Sequence, residues 1–385
     1  MHKQIALLFE RIILSKLIKS KLISIIFLIS ITANLSYSAS SSLNRNTDQD
    51  TTKSKFEPLP ILSYDTNTGF GYGVKAFLLN ALKSRESFDL TLFNSSKGER
   101  WYRFVFSIPD FELRQGKKYP LSLDLIIDFD RWIAYYFYGI GNQSHYRDEE
   151  KYTRRLLETS LIFSRGFSEK IVGQFGLRYR NIANSAIKTE SQLFTLLPAL
   201  SQGTAESFSG YINGRFDSRD SFINPSNGHV IQVEAELAPV IPMNNLSYFY
   251  WAAWYQYYTR SPIPKTTLAL RSGCRWIDGK NLPIQVLIPV GGGSTLRGYT
   301  QDRFLDKFSI LFNLELRFPI YKRLGAIAGL DCGKVWSGVD KLDLKNWLWN
   351  PVIGLRYYRH TYVVRLDAGF SRESLGLYIN FGHVF

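Results

Sequence analysis

The feature that most constrains this chain is a period of two in hydrophobicity, repeated along almost its whole length. Leu121, Leu123, Leu125, Ile127 and Phe129 alternate with Ser122, Asp124, Ile126, Asp128 and Asp130. Ile231, Val233, Ala235 and Leu237 alternate with Gln232, Glu234 and Glu236, and Tyr362, Val364, Leu366 and Ala368 with Val363, Arg365 and Asp367. Successive side chains of an extended strand point to opposite faces, so each segment is a strand with one apolar and one polar side. In a soluble sandwich the solvent face is rich in Lys, Thr and Ser. Here one face of many strands is nearly all Leu, Ile, Val, Phe and Tyr, and the opposite face carries the charge. Segments of about ten residues or more, apolar towards lipid and polar towards a lumen, predict an all-β fold, a transmembrane antiparallel β-barrel.

Sixteen segments fit the pattern: 59–64, 70–79, 87–95, 99–109, 119–131, 153–165, 170–182, 206–217, 228–240, 247–260, 265–277, 307–319, 324–336, 350–359, 361–370 and 375–385. An even count suits a bacterial barrel, which has short periplasmic turns and long external loops. The longest connections, 132–152, 183–205 and 278–306, follow segments five, seven and eleven. All three are odd, so a periplasmic N-terminus puts them all outside. Aromatic runs such as Tyr135-Tyr136-Phe137-Tyr138 and Tyr248-Phe249-Tyr250-Trp251 read as interfacial girdles.

Residues 1–38 read as a secretory signal peptide. Lys3, Arg11, Lys16, Lys19 and Lys21 precede an apolar core twelve residues long, Leu22 to Ala33, and Ser36 and Ser38 supply a small-residue cleavage site. Twelve residues are too few for a membrane helix, which needs about 20. No cysteine lies near the cleavage site, which excludes a lipoprotein. Residues 39–56 read as a flexible periplasmic leader and 57–385 as the barrel. Of 47 Lys/Arg and 33 Asp/Glu, five bases and one acid fall in the signal, leaving 42 against 32 in the mature chain. That excess suits an anionic membrane surface or polyanionic ligand. No basic helix or recognition motif points to nucleic acid.

The connection after segment eleven contains PVGGGSTLRGYTQDRF, residues 289–304. Three glycines suggest a mobile loop, yet Leu296-Arg297-Gly298-Tyr299 is too ordered a tetrad for one. Asn313, Glu315 and Arg317 share the polar face of segment twelve, and Asp331 that of segment thirteen. Arg297 is therefore expected to reach Asp331, Glu315 or both through the guanidinium fork. Gly298 permits close backbone approach and Tyr299 packs on the wall.

Asp217, Arg219 and Asp220, followed by Pro225 and Gly228, are expected to cap a tight periplasmic turn rather than form a catalytic group. The histidines are scattered, and GGGS lacks a phosphate-loop context. The chain is expected to be no enzyme and to hold no metal or cofactor. Cys274 and Cys332 fall on the apolar face of strands separated by a third. A bond between them would span roughly 10 Å, so none is expected. Pro58 precedes the first segment and Pro60 lies in it, and the last carries Gly376 and Gly382. Their closure is expected to hold few hydrogen bonds.

Five motifs in order resemble the outer membrane protein assembly superfamily, the BamA/TamA-like or bacterial surface antigen barrels. LRGY resembles that family's loop-six motif and Asp331-Cys332-Gly333 its Asp-x-Gly element, with Ala328 at a position usually Gly or Phe. Glu315 to Pro319, Phe216 to Gly228 and Tyr138 to Asn142 also match, over about residues 57–385. The resemblance implies a long external loop six folded into the lumen and a short form without POTRA domains. It implies a role in inserting or exporting a protein or lipid client at the bacterial outer membrane. A passive plugged pore or structural barrel is the alternative. Phe381 and Phe385, on one face with Leu375, Leu377, Ile379 and His383, resemble the C-terminal signal read by the assembly machinery. The partners implied are outer-membrane lipid, that machinery and an unfolded protein client.

Overall fold

The computed structural model describes residues 54–188, 190–359 and 362–385. The expected signal peptide, nearly all of the expected leader and His360 lie outside the described residues. The strands are β1 (Lys55–Asp65), β2 (Gly69–Leu79), β3 (Ser87–Ser95), β4 (Glu99–Ile108), β5 (Tyr119–Phe137), β6 (Glu150–Gly166), β7 (Ile171–Ser185), β8 (Thr204–Asp217), β9 (Gly228–Ala238), β10 (Tyr248–Arg260), β11 (Thr267–Asp278), β12 (Ile288–Val290), β13 (Phe304–Asp306), β14 (Phe308–Tyr321), β15 (Leu324–Trp336), β16 (Leu348–Tyr358), β17 (Val363–Phe370) and β18 (Leu375–Phe381). All except β12 and β13 join in chain order into one closed antiparallel barrel, in which β14 pairs directly with β11.

The period of two gives the wall its faces. Exposed apolar side chains such as Ile212 (60%) and Ile353 (56%) cover the outside, whereas Asn313, Glu315, Asp331 and Asp367 on the opposite face are fully buried. Closure leaves no sheet edge except at the seam, so backbone groups are satisfied within the wall, as a bilayer demands.

The seam is thin. β1 and β18 share two registered pairs, Tyr64↔Ile379 and Asp65↔Tyr378, against eleven for β1–β2 and seven for β17–β18. Just past β1, the Thr66 N–H donates to the Leu377 carbonyl at 3.1 Å. In an antiparallel ladder alternate residues bond to the same neighbour. Pro58 and Pro60 share parity with Thr66, so their missing N–H groups face β18 as well. The strand therefore has no donor at two positions along the side it would use to close.

Several expectations need correction. β1 begins at Lys55, so the wall takes in two residues assigned to the leader. β5, β6 and β7 run further than their segments, to Phe137, from Glu150 and to Ser185. Tyr135, Phe137 and Tyr138 are consequently buried and form no lipid girdle; the first two pack with Phe194, Leu282, Ile284 and Leu305 from two long connections. Of the second aromatic run, Phe249 is exposed. Tyr248 instead donates to Glu236 (2.6 Å) and Tyr250 to Glu234 (3.2 Å). The connection after β11 was expected to be loop throughout, but β12 and β13 pair within it. Both cysteines are free. Cys332 is nonetheless buried, because its cross-strand neighbours Phe312 and Trp349 flank so small a side chain.

The last strand was expected to reach Phe385 with its side chain on the apolar outer face. β18 stops at Phe381, and the chain turns at Gly382, whose φ of +79° favours glycine. Phe385 is buried against Tyr258 and Ala269, and the Arg271 and Arg317 guanidinium groups lie 5.1 and 5.2 Å from its ring. Two cations hold this aromatic on the charged face more favourably than solvent would.

Candidate functional site

Arg297, in the connection between β11 and β14, is among the largest fully buried side chains of the described residues. Its Nε and Nη2 donate to the two Asp331 oxygens of β15 at 2.9 and 2.8 Å, a bidentate fork. The Arg297 backbone N–H adds a third bond to Asp331, at 3.0 Å. Nη1 donates to Glu315 on β14 at 2.7 Å and to Asp367 on β17 at 3.2 Å.

Neighbouring strands complete the network. Arg317 Nε donates to Glu315 at 2.9 Å, Arg356 bonds to Asp367, and Arg365 lies 3.5 Å from Asp367. Asn313 fixes Asp331 from the side at 2.7 Å and donates to the Thr295 carbonyl at 2.8 Å. Asn350 donates to the Arg297 carbonyl. Burial opposes the charge on Arg297, but Asp331 and Glu315 outweigh it and raise the guanidinium further above its ordinary value.

Gly298 and Tyr299 complete the tetrad. Gly298 has φ +108°, and a Cβ there would fall 2.8 Å from the Gly369 backbone of β17. Its N–H donates to Tyr378 Oη on β18 at 3.1 Å, and its carbonyl accepts from Ser374 Oγ at 2.6 Å. The buried Tyr299 ring meets Phe304 edge-on at 5.2 Å. Asp331 and Glu315 are thus brought to Arg297 together. Asp367, Arg356, Asn350, Gly369 and Tyr378 were not singled out beforehand. Only Asp367 and Arg365 had a signal, as polar members of an alternating strand; the other contacts depend on which strands become neighbours.

A second arginine of the same connection also escaped the sequence reading. Arg303, fully buried, bonds both Glu373 oxygens (2.6 and 2.8 Å) in the β17–β18 turn. It also reaches Ser144 Oγ and its carbonyl (2.8 Å each) between β5 and β6. Its guanidinium lies 4.6 Å from the Tyr138 ring and 4.5 Å from the Phe304 ring. Arg271 links two further elements, donating to the Ser294 carbonyl at 2.5 Å and to the Val384 carbonyl at 3.3 Å.

The β8–β9 turn is a separate unit. Arg219 forks onto Asp217 at 2.8 and 3.0 Å, and Asp220 accepts from the Ser226 N–H at 2.9 Å. Pro225 is buried, and a Cβ at Gly228 (φ +115°) would meet the Ser218 carbonyl at 2.4 Å. Phe381 ends β18, exposed, with its ring 6.0 Å from that of Tyr362.

Comparison with solved structures places this architecture among known barrels. BamA from Haemophilus ducreyi lacking POTRA domains 1–3 superposes with a TM-score of 0.65 at 14% identity, over 86% of this chain and 70% of that one. CdiB from Escherichia coli gives 0.60 at 14% identity over 83% of this chain, and CdiB from Acinetobacter baumannii 0.52 at 14% over 84%. The chain spans 61% and 59% of the two CdiB chains. No curated protein matches the sequence. A family model described as the Omp85 superfamily domain matches residues 80–344, more than half of the 385. The barrel and that match agree, and the chain belongs to the Omp85 superfamily.

Proposed function

We propose that this barrel resides in the bacterial outer membrane and inserts or exports a protein or lipid client, with the 279–307 connection folded into the lumen and Arg297 as its anchor. The observation that carries the reading is the seam: two registered pairs, beside an edge strand whose prolines offer it no N–H. A passive pore gains nothing from a weak closure, whereas a barrel that passes a client sideways into lipid needs one. The excess of basic residues suits the anionic surface, and the terminal Phe385 and Phe381 would present the chain to the assembly machinery.

The test is a disulfide across the seam. Tyr64→Cys with Ile379→Cys joins two registered partners. The double variant replaces the wild type in a deletion strain, and outer-membrane proteomics is read with and without oxidant. Loss of client proteins on oxidation, restored by reductant, is expected. Unchanged client levels after complete cross-linking would reject lateral opening.

The second reading, a plugged pore without a client, is favoured by the fully buried Arg297 and Arg303 of that connection. It predicts a large rise in single-channel conductance for Arg297→Ala and an outer-membrane proteome that deletion leaves unchanged.

A further inference from the structure

A cavity of about 330 Å³, lined in part by Gly298, Tyr299 and Tyr378 next to the Arg297 anchor, lies at the barrel end that carries the long connections. It is bounded by the tip of the 279–307 connection, the β1–β2 and β17–β18 turns, and the 138–149 connection. Its volume sits at the small end of ligand sites, enough for one or two sugar rings. We propose that this cavity binds a neutral saccharide unit.

Three properties of the lining point there. Trp132, Tyr136, Tyr138 and Tyr146 supply aromatic faces, suited to the apolar C–H face of a pyranose. Asn67, Thr300 and Gln301 supply amide and hydroxyl groups, suited to its hydroxyls. The charges are Lys97 and Glu149, one of each sign. A phosphate or carboxylate ligand calls for a surplus of cations, and Lys97 is already engaged by the Thr66 carbonyl. Asn67 Nδ2 and Gln301 Nε2, both half-buried, are oriented by bonds to Asp65 and Asp302 at 2.8 and 2.6 Å, and each amide has a second N–H that a ligand hydroxyl can accept. Thr300 Oγ1 is buried beside the Tyr138 hydroxyl.

The site is also preformed. The Gln301 N–H donates to Asn67 Oδ1 at 3.1 Å, tying the tip of the connection to the β1–β2 turn. The Tyr138 and Tyr146 rings stack at 5.4 Å, with Arg303 fixed above Tyr138. Binding therefore costs little ordering of the wall. Tyr146, 38% exposed, forms the open lip.

The same chemistry would accept a free sugar or the glycan headgroup of a glycolipid in the surrounding leaflet. The full barrel is purified in a detergent without a sugar headgroup. Glucose, galactose, mannose, N-acetylglucosamine and their disaccharides are titrated by calorimetry and by saturation-transfer NMR. The expected result is saturable binding of at least one probe, weakened by about tenfold or more in Tyr136→Ala and Gln301→Ala, with Tyr136→Phe retaining it. If Tyr136→Ala does not fold, Tyr146→Ala at the exposed lip takes its place. Competition by phospholipid vesicles carrying lipopolysaccharide, but not by phospholipid alone, assigns the glycolipid source; binding of free sugar without such competition assigns the soluble one. Absence of saturable binding for every probe overturns the proposal, as does binding that the alanine variants leave unchanged.

Discussion

At the scale of single residues, the decisive side chain is a charge buried from bulk solvent. Isolated, a buried guanidinium would be strongly unfavourable, and so would Asp331, Glu315 and Asp367 without it. Together they satisfy one another through short, directional bonds. Removing one partner of such a group costs about 3–5 kcal/mol, most of it the charge left behind. Arg297→Ala is accordingly expected to lower the midpoint for unfolding in denaturant, read from the heat-modifiable gel mobility of the folded barrel. Arg297→Lys recovers only part, because an ammonium cannot form the fork on Asp331. Equal stability of the lysine variant and the wild type would show that the fork is unimportant. Gly298→Ala is expected to lower stability by about 1–3 kcal/mol through backbone strain and collision with Gly369, although it removes no charge.

At the scale of elements, loop and wall are joined at several points. Arg303 ties the 279–307 connection to the β17–β18 turn and to the 138–149 connection. Arg303→Ala is expected to speed hydrogen exchange at residues 371–376 and 142–148 while leaving the mid-wall strands protected; unchanged exchange at both would rule the clasp out. The C-terminal tail is another such element. His383, half-buried beside the Tyr358 ring, has a pKa held well below the usual imidazole value. Burial is the main cause, and the cations Arg317 and Arg356 add to it against Glu315. The docked tail thus binds fewer protons than the released one. Its docking is full above about pH 6.5 and weakens as pH falls below that value. A fluorophore at Val384→Cys should become more accessible to quencher between about pH 7.5 and about pH 5.5, and His383→Gln should flatten that change. A response that persists in the glutamine variant would assign it to another group.

At the scale of the whole molecule, strand count and alternation were legible because each is a local rule. Sixteen wall strands follow from counting apolar-polar runs, and their antiparallel order follows from short turns on one side. The candidate partners of Arg297 were legible too, since parity alone puts Glu315 and Asp331 on the polar face. Asp367 completes the set from β17, across β15 and β16, and no local pattern links it to Arg297. The same holds for Arg303 with Glu373 and for Phe385 beneath two arginines. The aromatic run at 135–138 misled because a tyrosine at a lipid interface and one packed under a loop look alike in one dimension.

By itself, then, the sequence determined the class of fold, the number of wall strands and, along most of the wall, which face a side chain takes. A two-residue period is a property of the extended backbone and needs no knowledge of neighbours. Only the tertiary structure decided how the ring closes, where the final four residues go and which charges meet inside. Those outcomes include contacts such as Arg297 with Asp367, 70 positions away, whose distance is set by barrel closure rather than by spacing along the chain.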